Sequence, residues 1–157
     1  MPRKYQSTER FLKPDPKYKS KLIAKFINCV MWDGRKSVAQ KLVYDALDLV
    51  AQRIKDRPPE EVFAVAVNNV KPLVEVRSKR VGGATYQVPI EVNRRRQQSL
   101  AFRWILDVIR KKKGRPAHRS LADEILAAFN KEGAAMTTRE NTHKMADANK
   151  MNAHFAW

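Results

Sequence analysis

Three kinds of side chain in this 157-residue sequence have chemistry to offer: three histidines, one cysteine, and a large excess of arginines and lysines. His118, His143 and His154 stand far apart, without the paired spacing a tetrahedral metal site draws on, so no metal is expected. Cys29 shares a helical face with Leu22 and Phe26, where a buried small hydrophobe is expected instead of a nucleophile. No carboxylate pair or serine constellation points to acid–base or acyl chemistry. Gly34, Arg35, Lys36 and Ser37 resemble the end of a phosphate-binding loop, but the upstream glycine of that motif is missing and the preceding segment reads as helix, not strand. A basic turn that opens a helix can still hold one phosphate of a nucleic acid. The expectation is a protein that is not an enzyme and uses no cofactor or small-molecule substrate.

The cations carry the stronger signal. Lys plus Arg number 32 against 16 Asp plus Glu, a formal net charge of +16, which predicts a polyanionic partner. The surplus is confined to two segments. Residues 1–25 hold eight basic and two acidic side chains and residues 77–119 hold thirteen and two, while 26–76 hold seven of each and 120–157 hold four and five. Arginine is the majority cation from Arg77 to Arg119, and its planar fork meets phosphate oxygens at two points. Tyr86 and Trp104 have rings able to stack on bases. Trp104 falls within an apolar stripe and reads as core, whereas Tyr86, near a ribbon tip, suits either role.

These residues need elements to position them. Two β-branched runs flank Gly82 and Gly83, the signal of a hairpin over residues 73–92. Pro89 has no amide hydrogen, so its strand is an edge or an isolated ribbon. A lone ribbon is marginal in water, and this one is expected to lie partly against something outside the chain.

The rest of the pattern is helical. Ser20 is the expected cap of a first helix bearing Leu22, Ile23, Phe26, Ile27, Val30 and Met31, ended by Asp33 and Gly34. Ser37 is expected to cap a second, with Val38, Leu42, Val43, Leu47, Val50 and Ile54 on one face. Pro58 and Pro59 open a third, whose stripe is Val62, Phe63, Ala66, Val67 and Val70. Asn93 caps a fourth running to about Lys112. It has Leu100, Ala101, Trp104, Ile105, Val108 and Ile109 on a dry face and Arg96, Arg103 and Arg110 opposite. A basic loop through Lys111, Lys112, Lys113 and Arg115 leads to a fifth helix capped by Ser120. Thr137 and Glu140 have capping-box spacing for a sixth, and the chain closes on Phe155, Ala156 and Trp157.

The fold class is therefore mainly α: a six-helix bundle with a protruding two-stranded β-hairpin between the third and fourth helices. Residues 1–19 form an extended basic N-terminal arm that orders only on a partner, and 20–157 form a single helical domain. A single cysteine argues for a reducing compartment, and no apolar run approaches the roughly 20 residues that span a bilayer. A soluble, intracellular protein with no membrane partner is expected.

The segments KFINCVMWDGRKSVAQKLVYDAL, VKPLVEVRSKRVGGATYQVPIEVNRRRQQSLAFRW and RENTHKMADANKMNAHFAW, in order over nearly the whole chain, resemble the family of small-subunit ribosomal protein number seven, bacterial or organellar type. The resemblance implies a ribosome-bound protein, cytoplasmic or in an organellar matrix. It implies binding to the 3′ major domain of small-subunit rRNA, a start to head assembly, and a place near exit-site tRNA and the mRNA path beside other head and platform proteins. The rRNA surface it implies comprises Arg3, Lys4 and Arg10 in the arm, Arg35 and Lys36 in the first turn, Arg77, Lys79 and Arg80 on the ribbon, Arg94, Arg95 and Arg96 after it, and the loop to Arg119. The tip, Val81, Gly82, Gly83, Ala84, Thr85, Tyr86 and Gln87, would face the exit-site tRNA. Arg35 stands where the family usually has lysine, Met136, Thr137 and Thr138 where it often has basic residues, and Phe155-Ala156 where it usually has tyrosine-arginine. The alternative function is a free regulator that binds DNA or its own messenger through the same surface.

Overall fold

Three phenylalanines from three different helices meet at the centre of the core. A computed structural model of the chain describes residues 11–156, so the expectations for Arg3, Lys4, Arg10 and Trp157 lie outside the described residues. In chain order the elements are α1 (Lys21–Val30), α2 (Lys36–Arg53), α3 (Pro59–Val70), β1 (Val74–Val81), β2 (Ala84–Glu91), α4 (Arg94–Lys111), α5 (Ala117–Phe129) and α6 (Ala134–Ala148), with a 3-10 helix over Lys150–Phe155. The Phe26 ring of α1 lies 5.0 Å from Phe63 of α3 and 5.1 Å from Phe102 of α4, centroid to centroid, in tilted and edge-on contacts. Such pairs contribute about 0.5–1.5 kcal/mol each beyond their buried area. Around them the stripes of α2, α3 and α5 close the core through Val43, Leu47, Val50, Val67, Leu121 and Ile125.

Several helix starts follow local chemistry. Ser20 Oγ accepts from the amide of Ile23 at 3.4 Å, Asn93 Oδ1 accepts from Arg96 at 2.9 Å, and Pro59 is the first residue of α3, where its missing amide hydrogen costs nothing. Three other starts differ from the sequence expectation. α2 begins before Ser37, because the Arg35 carbonyl already accepts from Ala39. α5 begins at Ala117, leaving Ser120 inside the helix, fully buried, with its Oγ unpartnered among the described residues. The Thr137–Glu140 box is not a cap either, since α6 starts at Ala134 and Thr137 Oγ1 instead donates back to the Gly133 carbonyl at 3.1 Å.

What caps α6 comes from another helix. Glu124 of α5, 2% exposed, accepts from the Ala135 amide at 2.9 Å and pairs with Lys112 at 3.3 Å. Leaving a buried carboxylate without such donors costs about 1–3 kcal/mol or more. Gly133 makes the approach feasible. Its φ is +98°, and a Cβ there would stand 3.0 Å from both Ala127 Cβ and Glu124 Oε1.

The ribbon pairs antiparallel from Val74 opposite Glu91 to Val81 opposite Ala84, with Pro89 opposite Val76. Gly82 and Gly83 make the two-residue turn with φ of +58° and +90°, a conformation that side chains with a Cβ resist. The ribbon finds support within the chain. Lys79 Nζ donates to the Phe155 carbonyl at 2.7 Å, Asn152 Nδ2 donates to the Gln87 carbonyl at 3.1 Å, and the Tyr86 and Phe155 rings lie 4.8 Å apart. At the ribbon's foot, the Leu73 amide donates to His143 Nε2 of α6 at 3.1 Å. The C-terminal segment thus covers a face that would otherwise be too small to hold itself together.

Three further expectations are corrected. The second half of the arm orders on the bundle without a partner: Asp15 is buried, accepts from the amides of Lys17 and Tyr18 and from the Tyr44 hydroxyl at 2.8 Å, and Lys17 pairs with Asp48 at 2.6 Å. Val38 is exposed, because it falls in the first turn of α2 ahead of the bundle. Cys29 is exposed as a residue, although its thiol lies in a groove with Phe102 and Leu106, whose desolvation pushes its pKa up. Phe102 and Leu106 themselves are core residues beyond the expected stripe, since α4 is covered on a wide face by α1, α3, α5 and α6.

Candidate nucleic-acid interface

Charge placement on α4 runs against what a helix on its own prefers. Arg94, Arg95 and Arg96 fill its first turn, at the positive end of the helix dipole, where carboxylates would be favoured. Part of that cost is offset locally. Glu75 of β1, 8% exposed, accepts from Arg96 Nε at 2.7 Å through both oxygens and from Arg77 Nε at 2.7 Å. The sequence reading did not single out Glu75. Its signal is a lone carboxylate between Val74 and Val76, two residues before Arg77 and hence on the same strand face.

The expected cations divide into two sets. Arg77 and Arg96 are held by Glu75, Lys79 by the C-terminal carbonyl, Lys112 by Glu124, and Arg115 by Asp123 at 3.0 Å. Arg110 lies with its guanidinium 5.2 Å from the centre of the Trp32 ring. By contrast the side chains of Arg35, Lys36, Arg80, Arg94, Arg103, Lys111, Lys113 and Arg119 are exposed and have no ion-pair partner among the described residues. Arg95 is also exposed, with internal contacts of its own. A cation left in solvent keeps its full charge for an incoming phosphate. The paired set spends its donors on the fold.

The two sets build one arrangement. Arg103 and Arg110 lie exposed along one side of α4, away from the buried Ala101 and Ile105. The Arg110–Trp32 contact brings the turn between α1 and α2, with Arg35 and Lys36, beside the end of α4. No side chain caps the start of α2; the Arg35 and Lys36 amides donate to the Trp32 and Gly34 carbonyls within the turn, and the two side chains lie exposed. The tip residues Val81 to Thr85 extend beyond the charged flank and carry no charge, while Tyr86 is half-buried against Phe155. Trp104 packs partly buried against the core, as its place in the stripe predicts.

The histidines serve the fold. His143 accepts from Leu73, which requires Nε2 unprotonated; burial, then the charge of Arg139, push its pKa down, against a smaller upward pull from Asp147. His154 Nδ1 lies 2.7 Å from the Met151 carbonyl and its ring against Phe155, and His118 is half-buried in α5. Among the described residues no group of three or more His, Cys, Asp or Glu is placed to hold a metal, and no helix is long and apolar enough to cross a membrane.

A helical bundle with a two-stranded ribbon between its third and fourth helices and exposed arginines and lysines on the adjoining helix defines a mainly α, strongly basic helix-and-ribbon domain. Comparison with known proteins supplies the family. The family model for ribosomal protein S7p/S5e matches residues 2–150. The small ribosomal subunit protein uS7 of Rhodopirellula baltica is 62% identical over 144 residues, 91% of this chain and 92% of that protein. The uS7 proteins of Thermotoga neapolitana and Thermotoga maritima are 54% and 53% identical over 155 residues, 99% of each chain. This chain belongs to the ribosomal protein S7p/S5e family.

Proposed function

We propose that this chain is a structural rRNA-binding protein of the small ribosomal subunit, which nucleates assembly of the head on the 3′ major domain of the rRNA. The observation that carries the reading is the set of eight exposed cations, without an ion-pair partner among the described residues, on the α1–α2 turn, the ribbon, the outer side of α4 and the loop to Arg119. Free arginines and lysines spread over a turn, a ribbon, a helix and a loop suit a folded RNA, where phosphates from several strands converge. Arg3, Lys4 and Arg10, which precede the described residues, would add their charges to the same binding. Membership of a ribosomal protein family supports the same partner.

The ribbon divides its labour. Its charged flank contributes phosphate affinity, while the tip, residues 81–87, offers backbone and small side chains close to the exit-site tRNA and the mRNA path. Its protein neighbours are those of the head and platform, and its location is that of the ribosome. Sedimentation through a sucrose gradient tests the core of this reading: the protein cofractionates with small subunits. Recovery only from the free pool would overturn it in favour of a free regulator of DNA or messenger RNA.

A further inference from the structure

Trp32 is the largest of the exposed apolar side chains among the described residues, at 66% exposed. It follows the end of α1 in the turn that leads to Arg35 and Lys36. The guanidinium of Arg110, from the last turn of α4, rests 5.2 Å from the ring centre. A cation over an exposed indole contributes about 0.5–1 kcal/mol, enough to restrict the ring without covering it. Beside it runs an open groove of about 270 Å³, with Val30, Val38 and Leu42 in its walls and Asp33 and Arg35 at its polar edge. Val38 is itself 62% exposed, so two large apolar side chains meet solvent at one place.

We infer that Trp32 and this groove receive an unpaired nucleobase, stacked on the indole face turned away from Arg110, with its phosphate held by Arg35 or Lys36. The inference rests on the RNA-binding reading above and adds to it the kind of nucleotide that one part of the surface takes. The chemistry selects the occupant. A free anion would leave the apolar walls wet and would meet the carboxylate of Asp33, whereas a base covers the walls and can donate an exocyclic amino hydrogen to that carboxylate. A paired duplex presents no bare base face, so the site requires a bulge, a loop or an end. Two cations on the rim complement the phosphate that every nucleotide brings.

The test uses the full-length protein with two RNAs, a transcript of the 3′ major domain and a fully paired duplex of mixed sequence. Trp32→Ala is expected to weaken binding of the transcript roughly five- to a hundred-fold, the range of losing one base–aromatic stack, and to leave duplex binding and the salt slope unchanged. Trp32→Phe is expected to recover much of the loss. The difference in tryptophan fluorescence between wild type and Trp32→Phe should be quenched by the transcript and not by the duplex, a readout that holds even if the alanine variant folds poorly. Transcript affinity unchanged in Trp32→Ala, with Trp32 fluorescence unquenched, overturns the inference while leaving RNA binding intact and the groove to a protein neighbour. Absence of salt-dependent transcript binding by the wild type would overturn the RNA reading itself, and this inference with it.

Discussion

Arg96 at the head of α4 donates its Nε to both carboxylate oxygens of Glu75 at the base of the ribbon, each at 2.7 Å. Twenty-one residues of sequence separate them, and the whole hairpin lies between. The pair therefore ties the base of the ribbon to the head of α4, and Arg77 shares the same carboxylate. Glu75 also withdraws two arginines from a surface that otherwise offers its cations freely.

Arg94 and Arg96, two residues apart, should consequently behave differently. Arg96→Ala is expected to lower stability by about 1–2 kcal/mol, because a mostly buried carboxylate loses a donor while the exposed guanidinium limits the effect. Arg94→Ala should leave the urea midpoint unchanged and reduce the slope of log affinity against log salt by roughly 0.7–0.9. Measured together, equal loss of stability in the two variants would contradict this division.

His143 makes the ribbon's foot sensitive to acid. Its folded pKa is lowered, so the unfolded chain takes up the proton first. The contribution to stability is fully present above the ordinary histidine value of about 6.5 and declines as pH falls from there toward the folded pKa. Denaturation at pH 7.5 and 5.5 should show a larger drop in wild type than in His143→Ala. Identical drops would mean that the Leu73–His143 bond does not titrate with folding.

Gly133 occupies a position that no other residue suits. Gly133→Ala is expected to cost about 1–3 kcal/mol, from the positive φ and from a methyl 3.0 Å from Glu124 Oε1, and to loosen the cap on Ala135. Thermal melting would reveal it as a lower midpoint, with faster amide exchange at the start of α6. A melt matching wild type would show that α5 and α6 can part at little cost.

Shortening the ribbon separates its tip from its flank. Replacing residues 80–85 by Gly-Gly keeps Lys79 and Tyr86 and their contacts with the C-terminal segment, and removes one charge, Arg80. rRNA affinity should stay within a few-fold while reading-frame maintenance changes. Loss of rRNA binding with an unaltered frame would make the tip the anchor.

Much of this architecture is legible in the sequence because its causes are local. The period of apolar residues, the caps at Ser20 and Asn93, Pro59 at the start of α3 and the glycine pair at the turn each act within a few residues of themselves. The charge surplus is likewise a property of composition, so the basic segments stand out before any folding is considered. Which cations remain free is a different matter. Arg96 is held and Arg94 is not, because a carboxylate from the ribbon reaches one of them. The same holds for the start of α6, where the expected box at Thr137 yields to Glu124 from α5, and for the ribbon, which rests on Phe155 some seventy residues onward. Trp32 and Val38 lie in solvent because the turn after α1 carries them past the edge of the bundle, although Val38 belongs to the apolar stripe of α2. Local sequence determines which elements form, through energies of neighbouring groups; which side chains remain for a partner is decided by contacts between distant segments, which only the folded chain brings together.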